Sequence, residues 1–170
     1  PVADQPQLMR PAVPQRAKGE QGIVVEGLTN CLVKFSKCCT PVPGDDIVGF
    51  ITRGYGVSVH RADCPNVLRS RDNPAEAGRW IRVSWADKTS EEYHTMLQVV
   101  AKDRISLIVD VSTVLSATKT RVLSLNARST PDGFALLDLG ISVSGREQLK
   151  TVTSRLEQIQ GVMKVTRPAG

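Results

Sequence analysis

Residues 31–66 read CLVKFSKCCTPVPGDDIVGFITRGYGVSVHRADCPN, and this stretch determines how the first half of the chain folds. It contains all four cysteines of the 170-residue chain and one of its two histidines. Prolines and glycines separate short apolar runs within it, a pattern typical of short strands joined by turns. The stretch therefore predicts a small, strand-rich domain built around the cysteines.

The internal order of this stretch follows from its turn residues. Thr40–Asp46 is predicted to be a loop, because two prolines in it lack the backbone hydrogen-bond donor that a strand or helix needs. The glycines of Arg53–Gly56 favour a tight turn, and Ala62–Leu68 predicts a short helix capped by Asp63. Strands are predicted around these segments, at residues 31–35, 47–52 and 57–60.

Flanking segments complete a first domain over residues 23–86. The β-branched run Ile23–Val25 and the alternating run Trp80–Trp85 each predict a strand. Residues 1–22 contain four prolines and no helical or strand period, so they are predicted to be a flexible linker. Residues 87–92 are a charged and polar connector. The chain begins with proline rather than methionine, which indicates a piece of a longer polypeptide.

The second half, residues 93–170, changes its hydrophobic period in a regular order. Ile105–Ala117 carries apolar residues three and four positions apart, as an amphipathic helix does, and Asp103 is its candidate cap. Alternate residues from Ala135 to Val143 are apolar, which predicts a half-buried strand. The full order is βαββαβ, which predicts a four-stranded antiparallel sheet with two helices on one face. The chain is thus predicted to be of α+β class.

Composition narrows the class of protein. The net charge of +5 is mild and spread along the chain, so it does not by itself indicate a nucleic-acid partner. The longest apolar runs are only a few residues, against the roughly 20 that cross a bilayer, so no membrane partner is expected. Four cysteines within residues 31–64, two of them adjacent, favour a reducing cytoplasm over a secreted disulfide scaffold.

The spacing C-C-x20-H-x3-C, formed by Cys38, Cys39, His60 and Cys64, offers three thiolates and one imidazole. Tetrahedral zinc accepts such a set in structural sites. Adjacent residues of an extended strand point to opposite faces, so the neighbouring cysteines share a metal only if the chain turns there. Cys31 is an alternative ligand. Reduced core cysteines beside a hydrogen-bonded histidine explain the same pattern without a metal, and a catalytic cysteine lacks an evident third orienting group.

RNA contact is a further hypothesis for this region. An Arg-Gly-Tyr-Gly hairpin tip beside basic residues presents cations for phosphates and a ring for a base or ribose. The alternative is a solvated turn with ordinary surface charge. The candidate contact residues are Lys34, Lys37, Arg53, Tyr55, His60, Arg61 and Arg69.

Both halves resemble one protein family. CCTPVPGDDIVGFITRGYGVSVHRADCPN (38–66) resembles the cysteine-containing, zinc-finger-like regulatory domain of the long Rel/SpoT-type (p)ppGpp synthetase/hydrolases. YHTMLQVVAKDRISLIVDVSTVLSATKTRVLSLNARS (93–129) resembles the ferredoxin-like ACT domain that ends those proteins. The resemblance implies a regulatory region of a stringent-response protein, with no catalysis of its own. It also implies contact with the ribosome and uncharged tRNA, and control of distant catalytic domains.

The resemblance implies an amino-acid site in the ACT domain, with branched-chain amino acids as ligands. The matching positions are Asp103, Arg104, Ile105, Ser106 and Asn126. Free backbone N–H groups at the helix start could bind a carboxylate. The family prefers glycine where this chain has Ser106, and a side chain there narrows such a pocket. The alternative is that Asp103 only caps the helix and that Asn126 is a plain strand-surface residue.

The predicted sheet leaves one face open, so we expect either a homodimer through the ACT domain or docking of this face on another domain. The open face of the predicted sheet, which includes Phe134 and Leu136, would otherwise leave apolar side chains in water. For the chain as a whole, the alternative hypothesis is a free-standing, amino-acid-sensing ACT dimer with no RNA role.

Overall fold

The computed structural model describes residues 17–18, 22–27, 31–54, 56–87 and 92–168. It is a mixed α+β protein, as the sequence predicts, with a β-rich first domain and a βαββαβ second domain. The first domain comprises β1 (Ala17–Lys18), β2 (Ile23–Val25), β3 (Leu32–Phe35), β4 (Ile47–Ile51), β5 (Gly56–Arg61), α1 (Pro65–Arg71), a 3-10 turn (Ala77–Arg79), β6 (Trp80–Ile81) and β7 (Val83–Trp85).

Two small sheets form the first domain. One has the strand order β3-β5-β4-β6 and the other β1-β2-β7. Strands β4 and β5 form the predicted antiparallel hairpin, while β3 pairs parallel to β5. Buried aliphatic side chains of both sheets form a shared core: Ile23, Val25, Val33, Val57, Val59 and Val83.

The single strand predicted at Trp80–Trp85 is wrong, because the chain changes sheets within it. Phe50 of β4 pairs with Trp80, whereas Val24 of β2 pairs with Ser84. Arg82 lies between the two short strands. The alternating pattern of the sequence is compatible with both pairings, so it does not reveal the change.

Two further differences concern local signals. Ala17–Lys18, within the segment predicted to be a linker, pairs antiparallel with Val24 and Val25, while residues 1–16 and 19–21 lie outside the described residues. The helix α1 begins at Pro65, with Cys64 rather than Asp63 at the N-cap position. The Asp63 carboxylate instead accepts two hydrogen bonds from Arg61. Two parallel hydrogen bonds between a guanidinium group and a carboxylate form a strong, charge-assisted pair.

The second domain comprises β8 (Tyr93–Lys102), α2 (Leu107–Ala117), β9 (Arg121–Ser129), β10 (Phe134–Val143), α3 (Arg146–Glu157) and β11 (Val162–Thr166). Its four strands are all antiparallel and lie in the order β11-β8-β10-β9. The strand predicted around Ala135–Val143 is confirmed. Its odd-numbered residues face the helices and are at most 5% exposed. No described helix is long and apolar enough to span a membrane.

The start of α2 differs from the prediction. The helix begins at Leu107, and Ser106 adopts a left-handed conformation with φ of 68°. Asp103 does not cap it, because its carboxylate accepts a hydrogen bond of 2.6 Å from the Ser129 hydroxyl. The local sequence predicts Asp103 as the helix cap, but its carboxylate binds Ser129 of the second domain instead.

A six-residue segment of the first domain, Thr40–Asp45, lies between β3 and β4, contacts the second domain and is called the junction loop below. Val42 of this loop is fully buried and belongs to the apolar core of the second domain. Phe35 and Trp85 of the first domain stack with their ring centroids 5.7 Å apart and both pack on Tyr93. The hydrophobic cores of the two domains therefore meet at this junction, where Phe35 and Trp85 pack against both.

Candidate metal centre and binding surfaces

Cys38 and Cys39 can bind one metal ion only if the chain turns between β3 and the junction loop, and it does. Strand β3 ends at Phe35, and a turn follows in which the Thr40 N–H donates a hydrogen bond of 3.0 Å to the Ser36 carbonyl. Because Cys38 and Cys39 lie in this turn rather than on the strand, their thiols reach one cluster.

Two other elements supply the remaining members of the cluster. His60 lies near the end of β5, and Cys64 occupies the N-cap position of α1. The tight link between β5 and α1 brings these side chains to the cysteine turn. The four ligand atoms all lie within 4.8 Å of one another.

The distances within the cluster match a tetrahedral site. The Cys38 sulfur lies 3.9 Å from that of Cys39, 3.5 Å from that of Cys64 and 3.4 Å from the His60 Nδ1 atom. Cys39 lies 3.8 Å from the same nitrogen. A tetrahedral zinc ion with Zn–S bonds of about 2.3 Å and a Zn–N bond of about 2.0 Å separates two sulfurs by about 3.8 Å and a sulfur and a nitrogen by about 3.5 Å. The donor set and its spacing therefore fit such an ion.

Burial and hydrogen bonding set the ionisation of the cluster. Burial raises the pKa of the Cys39 thiol to about 12. Burial also acts to raise the pKa of Cys38, but hydrogen bonds from Ser36, Asn66 and its neighbouring thiols outweigh it, so the pKa of Cys38 is lowered. Burial lowers the pKa of His60, which favours the neutral imidazole that binds metals.

Surrounding groups orient these side chains. The Arg61 N–H points at the Cys39 sulfur over 3.3 Å, and the Ser58 hydroxyl lies 3.4 Å from the second ring nitrogen of His60. Such partners outside a ligand set fix ring orientation in metal sites. Cys31 is not part of the cluster and packs instead against the core between the two sheets.

The structure separates the residues predicted to bind RNA. Lys34, Lys37, Arg53 and Arg69 are exposed, while Tyr55 lies outside the described residues. His60 belongs to the cysteine cluster. Arg61 lies on the other face of β5, and its guanidinium group, with a side chain only 13% exposed, pairs with Asp63 at 2.9 Å.

Three residues that the sequence did not single out share a face with Lys34. The strand register places Lys34, Ser58, Phe50 and Trp80 side by side. The Arg79 guanidinium carbon lies 4.6 Å from the centre of the Phe50 ring. This pair combines a cation with an aromatic ring, but its members come from segments 29 positions apart in the chain, so no local motif reveals it.

Two of the four loop residues predicted to hold an amino acid, Asp103 and Arg104, are engaged within the second domain. The Arg104 guanidinium group donates to the Gln160 carbonyl and pairs with Asp110 at 2.6 Å. Asp103 binds Ser129, and Ile105 is 93% exposed.

Asn126 lies apart from this loop. Its register partner is Asp138 on the open face of the sheet, whereas Ser129, which contacts Asp103, has Ala135 on the buried face as its partner. A single chain therefore does not bring Asn126 and the 103–106 loop to one pocket.

Two family models match the chain in succession. The RelA/SpoT RIS domain model matches residues 23–86, and an ACT domain model matches residues 89–167. The chain thus contains two regulatory domains in succession, which makes it a regulatory protein of the α+β class. It belongs to the RelA/SpoT family and corresponds to the C-terminal regulatory region of such a protein.

Similar proteins agree with this assignment. The chain is 38% identical over 156 residues to a GTP pyrophosphokinase of Escherichia coli strain K12, covering 91% of this chain and 21% of that protein. It is 37% identical over 152 residues to the bifunctional (p)ppGpp synthase/hydrolase RelA of Mycobacterium tuberculosis, covering 89% and 20% respectively. The chain thus spans about a fifth of these relatives, and their catalytic domains lie outside the matched segment.

A solved structure is also similar to the second domain. It is the crystal structure of the ACT domain from the GTP pyrophosphokinase of Chlorobium tepidum, with 24% identity and a TM-score of 0.41, covering 45% of this chain and 97% of that one.

Membership of the RelA/SpoT family counts against the alternative of a free-standing ACT dimer.

Proposed function

We propose that this chain is a zinc-binding sensor region that contacts the ribosome and uncharged tRNA and thereby switches the (p)ppGpp synthetase and hydrolase domains of its parent protein. The observation that carries the proposal is the cluster of Cys38, Cys39, His60 and Cys64, whose ligand atoms lie within 4.8 Å of one another. The ion would serve as a structural centre, since four protein ligands leave no open position for chemistry. The four free thiols suit the reducing cytoplasm in which we place the protein.

Elemental analysis tests the zinc proposal. Protein purified without added zinc should contain one zinc ion per chain, and Cys64→Ser should lower this content severalfold. Cys31→Ser is the matched control, because Cys31 lies outside the cluster, and it should leave the zinc content unchanged. Equal zinc content in both variants, or none in the parent chain, would count against the proposal.

The proposed RNA surface contains Lys34 and Lys37. Both side chains are exposed, and both line a cleft of about 470 Å³ at the domain junction, with Phe35 and His94 in its walls. Lysines supply charge for phosphates, and rings supply stacking platforms for unpaired bases. We infer that single-stranded or looped RNA contacts this side of the RIS domain.

A salt-dependent tRNA-binding assay tests the RNA surface. Binding by the double variant Lys34→Gln, Lys37→Gln should weaken and lose about one to two units of slope in a plot of log affinity against log salt. The same change at Lys150 and Lys164, exposed on the ACT domain, is the control and should have little effect. Equal losses in both variants would indicate attraction by net charge alone.

For the ACT domain we propose a homodimer that binds a branched-chain amino acid between two chains. The open sheet face carries half-buried Met96, Val100, Phe134 and Leu136, an apolar surface that pairing would cover. A second chain could bring Asn126 near the 103–106 loop.

Two experiments test this proposal. Sedimentation should give a dimer that Leu136→Glu dissociates. Titration calorimetry with valine, isoleucine and leucine should show binding that the monomeric variant lacks.

A further inference from the structure

The junction loop starts at the cysteine cluster. Thr40 follows Cys39 directly, and its N–H belongs to the turn that presents both cysteines. The Thr40 hydroxyl lies 3.0 Å from the hydroxyl of Thr95, a buried residue of β8 in the ACT domain. The residue next to a candidate metal ligand therefore contacts the other domain.

The middle of the junction loop enters the ACT domain. Val42 is 0% exposed within the ACT core. The Pro43 carbonyl accepts a hydrogen bond of 2.8 Å from the Arg146 N–H at the start of α3, where a helix has unpaired N–H groups. A β-carbon at Gly145 would lie 3.1 Å from that carbonyl oxygen, so this close approach favours glycine. The loop thus provides both a core side chain and a helix cap to the ACT domain.

The far end of the junction loop leads back to the cluster. Asp45 accepts two hydrogen bonds of 2.9 Å from Arg167 of the ACT domain. The Asp46 carbonyl, next in the chain, accepts a hydrogen bond of 2.8 Å from Ala62, two residues before Cys64. Both ends of the loop are therefore fixed to segments that carry cluster side chains.

We propose that metal occupancy of the Cys38, Cys39, His60 and Cys64 cluster controls how firmly the ACT domain docks on the RIS domain, with the junction loop as the coupling element. The inference rests on the proposal that this cluster holds a metal. A bound ion fixes the cysteine turn and the start of α1, and so fixes both ends of the loop. Without the ion, the loop ends lose this restraint, and the contacts of Val42 and Pro43 with the ACT domain weaken.

Hydrogen exchange compares the zinc-loaded chain with the chain after chelation. The Arg146 amide should exchange about tenfold faster without zinc, because its partner is the Pro43 carbonyl. Amides of the β9–β10 pairing, at the far side of the ACT sheet, are the internal control and should keep their protection. Re-addition of zinc should restore the original rate at Arg146.

A second experiment leaves the cluster intact, since chelation could unfold the RIS domain. Coupling free energies are reciprocal, so a substitution that weakens the contact between the ACT and RIS domains must also weaken zinc binding. Val42→Ala should therefore lower the zinc affinity about fivefold, measured by competition with a chelator of known affinity. Val111→Ala is the matched control: it removes the same atoms from a fully buried valine of α2 in the same core, and should leave the affinity unchanged.

The outcomes separate this inference from the zinc proposal. If no zinc is taken up, both are refuted. If zinc is taken up but Arg146 keeps its protection after removal, with the RIS domain still folded, only the coupling is refuted. Equal zinc affinities for the Val42→Ala and Val111→Ala variants would also refute it.

Discussion

Arg167 binds Asp45 across 122 positions of sequence, with two hydrogen bonds of 2.9 Å between the guanidinium group and the carboxylate. The side chains are only 17% and 7% exposed. The same carboxylate accepts the Val42 N–H, and Arg167 also donates to the Thr40 carbonyl. This ion pair therefore stabilises the junction loop at two points.

Removal of the cation should destabilise the protein markedly. Arg167→Met leaves a buried carboxylate without its partner, so the free energy of unfolding should fall by about 3 kcal/mol in urea denaturation. Arg121→Met is the control, because Arg121 and Glu92 are 70% and 62% exposed and 3.8 Å apart. An exposed pair of this kind contributes about 0.5 kcal/mol. Similar losses for the two variants would contradict the special role of the Arg167 pair.

Ser106→Gly should stabilise the ACT domain. Ser106 is exposed and has a φ of 68°, a conformation that costs a residue with a β-carbon about 1 kcal/mol and that glycine adopts freely. We expect the melting temperature to rise by a few degrees. Ser112→Gly, at an exposed position inside α2, should lower it slightly, because glycine in a helix interior is about 0.5 kcal/mol less favourable than serine. The reverse order of melting temperatures would contradict this account of Ser106.

Zinc uptake should release protons. Burial raises the pKa of Cys39 to about 12, so this thiol is protonated at neutral pH in the metal-free protein, whereas zinc binds the thiolate. Raising the pH therefore favours metal binding and lowering it favours the protonated, metal-free cluster. Calorimetry in two buffers of different ionisation enthalpy should give different binding heats. Heats that do not depend on the buffer would show that no net proton is released.

Gly49→Ala should destabilise the RIS domain. A β-carbon at Gly49 of β4 would lie 2.8 Å from a methyl carbon of Val83 and 2.9 Å from one of Val57, so the core would be overpacked. We expect a loss of about 2 kcal/mol in the free energy of unfolding. Gly78→Ala is the control, because a β-carbon there has no atom within 4 Å. A neutral Gly49→Ala variant would mean that the two sheets can separate to accept a methyl group.

The features that the sequence predicted well are those set by local periodicity. The alternation from Ala135 to Val143 and the apolar stripe of α2 each reflect one buried face, and both elements are present. The sheet change at Arg82 depends on which distant strands lie beside β6 and β7. The turn at Cys38 and Cys39 likewise depends on backbone bonds that composition does not reveal. For the candidate site, spacing predicted the four members of the cysteine cluster, but not the two-domain role of the loop beside it.

The two tryptophans lie in different regions of the structure, one beside the cysteine cluster and the other at the domain junction. The Trp80 ring lies 6.1 Å from the His60 ring, edge to face, beside the cysteine cluster. The Trp85 indole donates a hydrogen bond of 3.0 Å to the Asp45 carbonyl at the domain junction. Intrinsic fluorescence of variants that retain one or the other indole can therefore follow the two regions independently in solution, without an added dye.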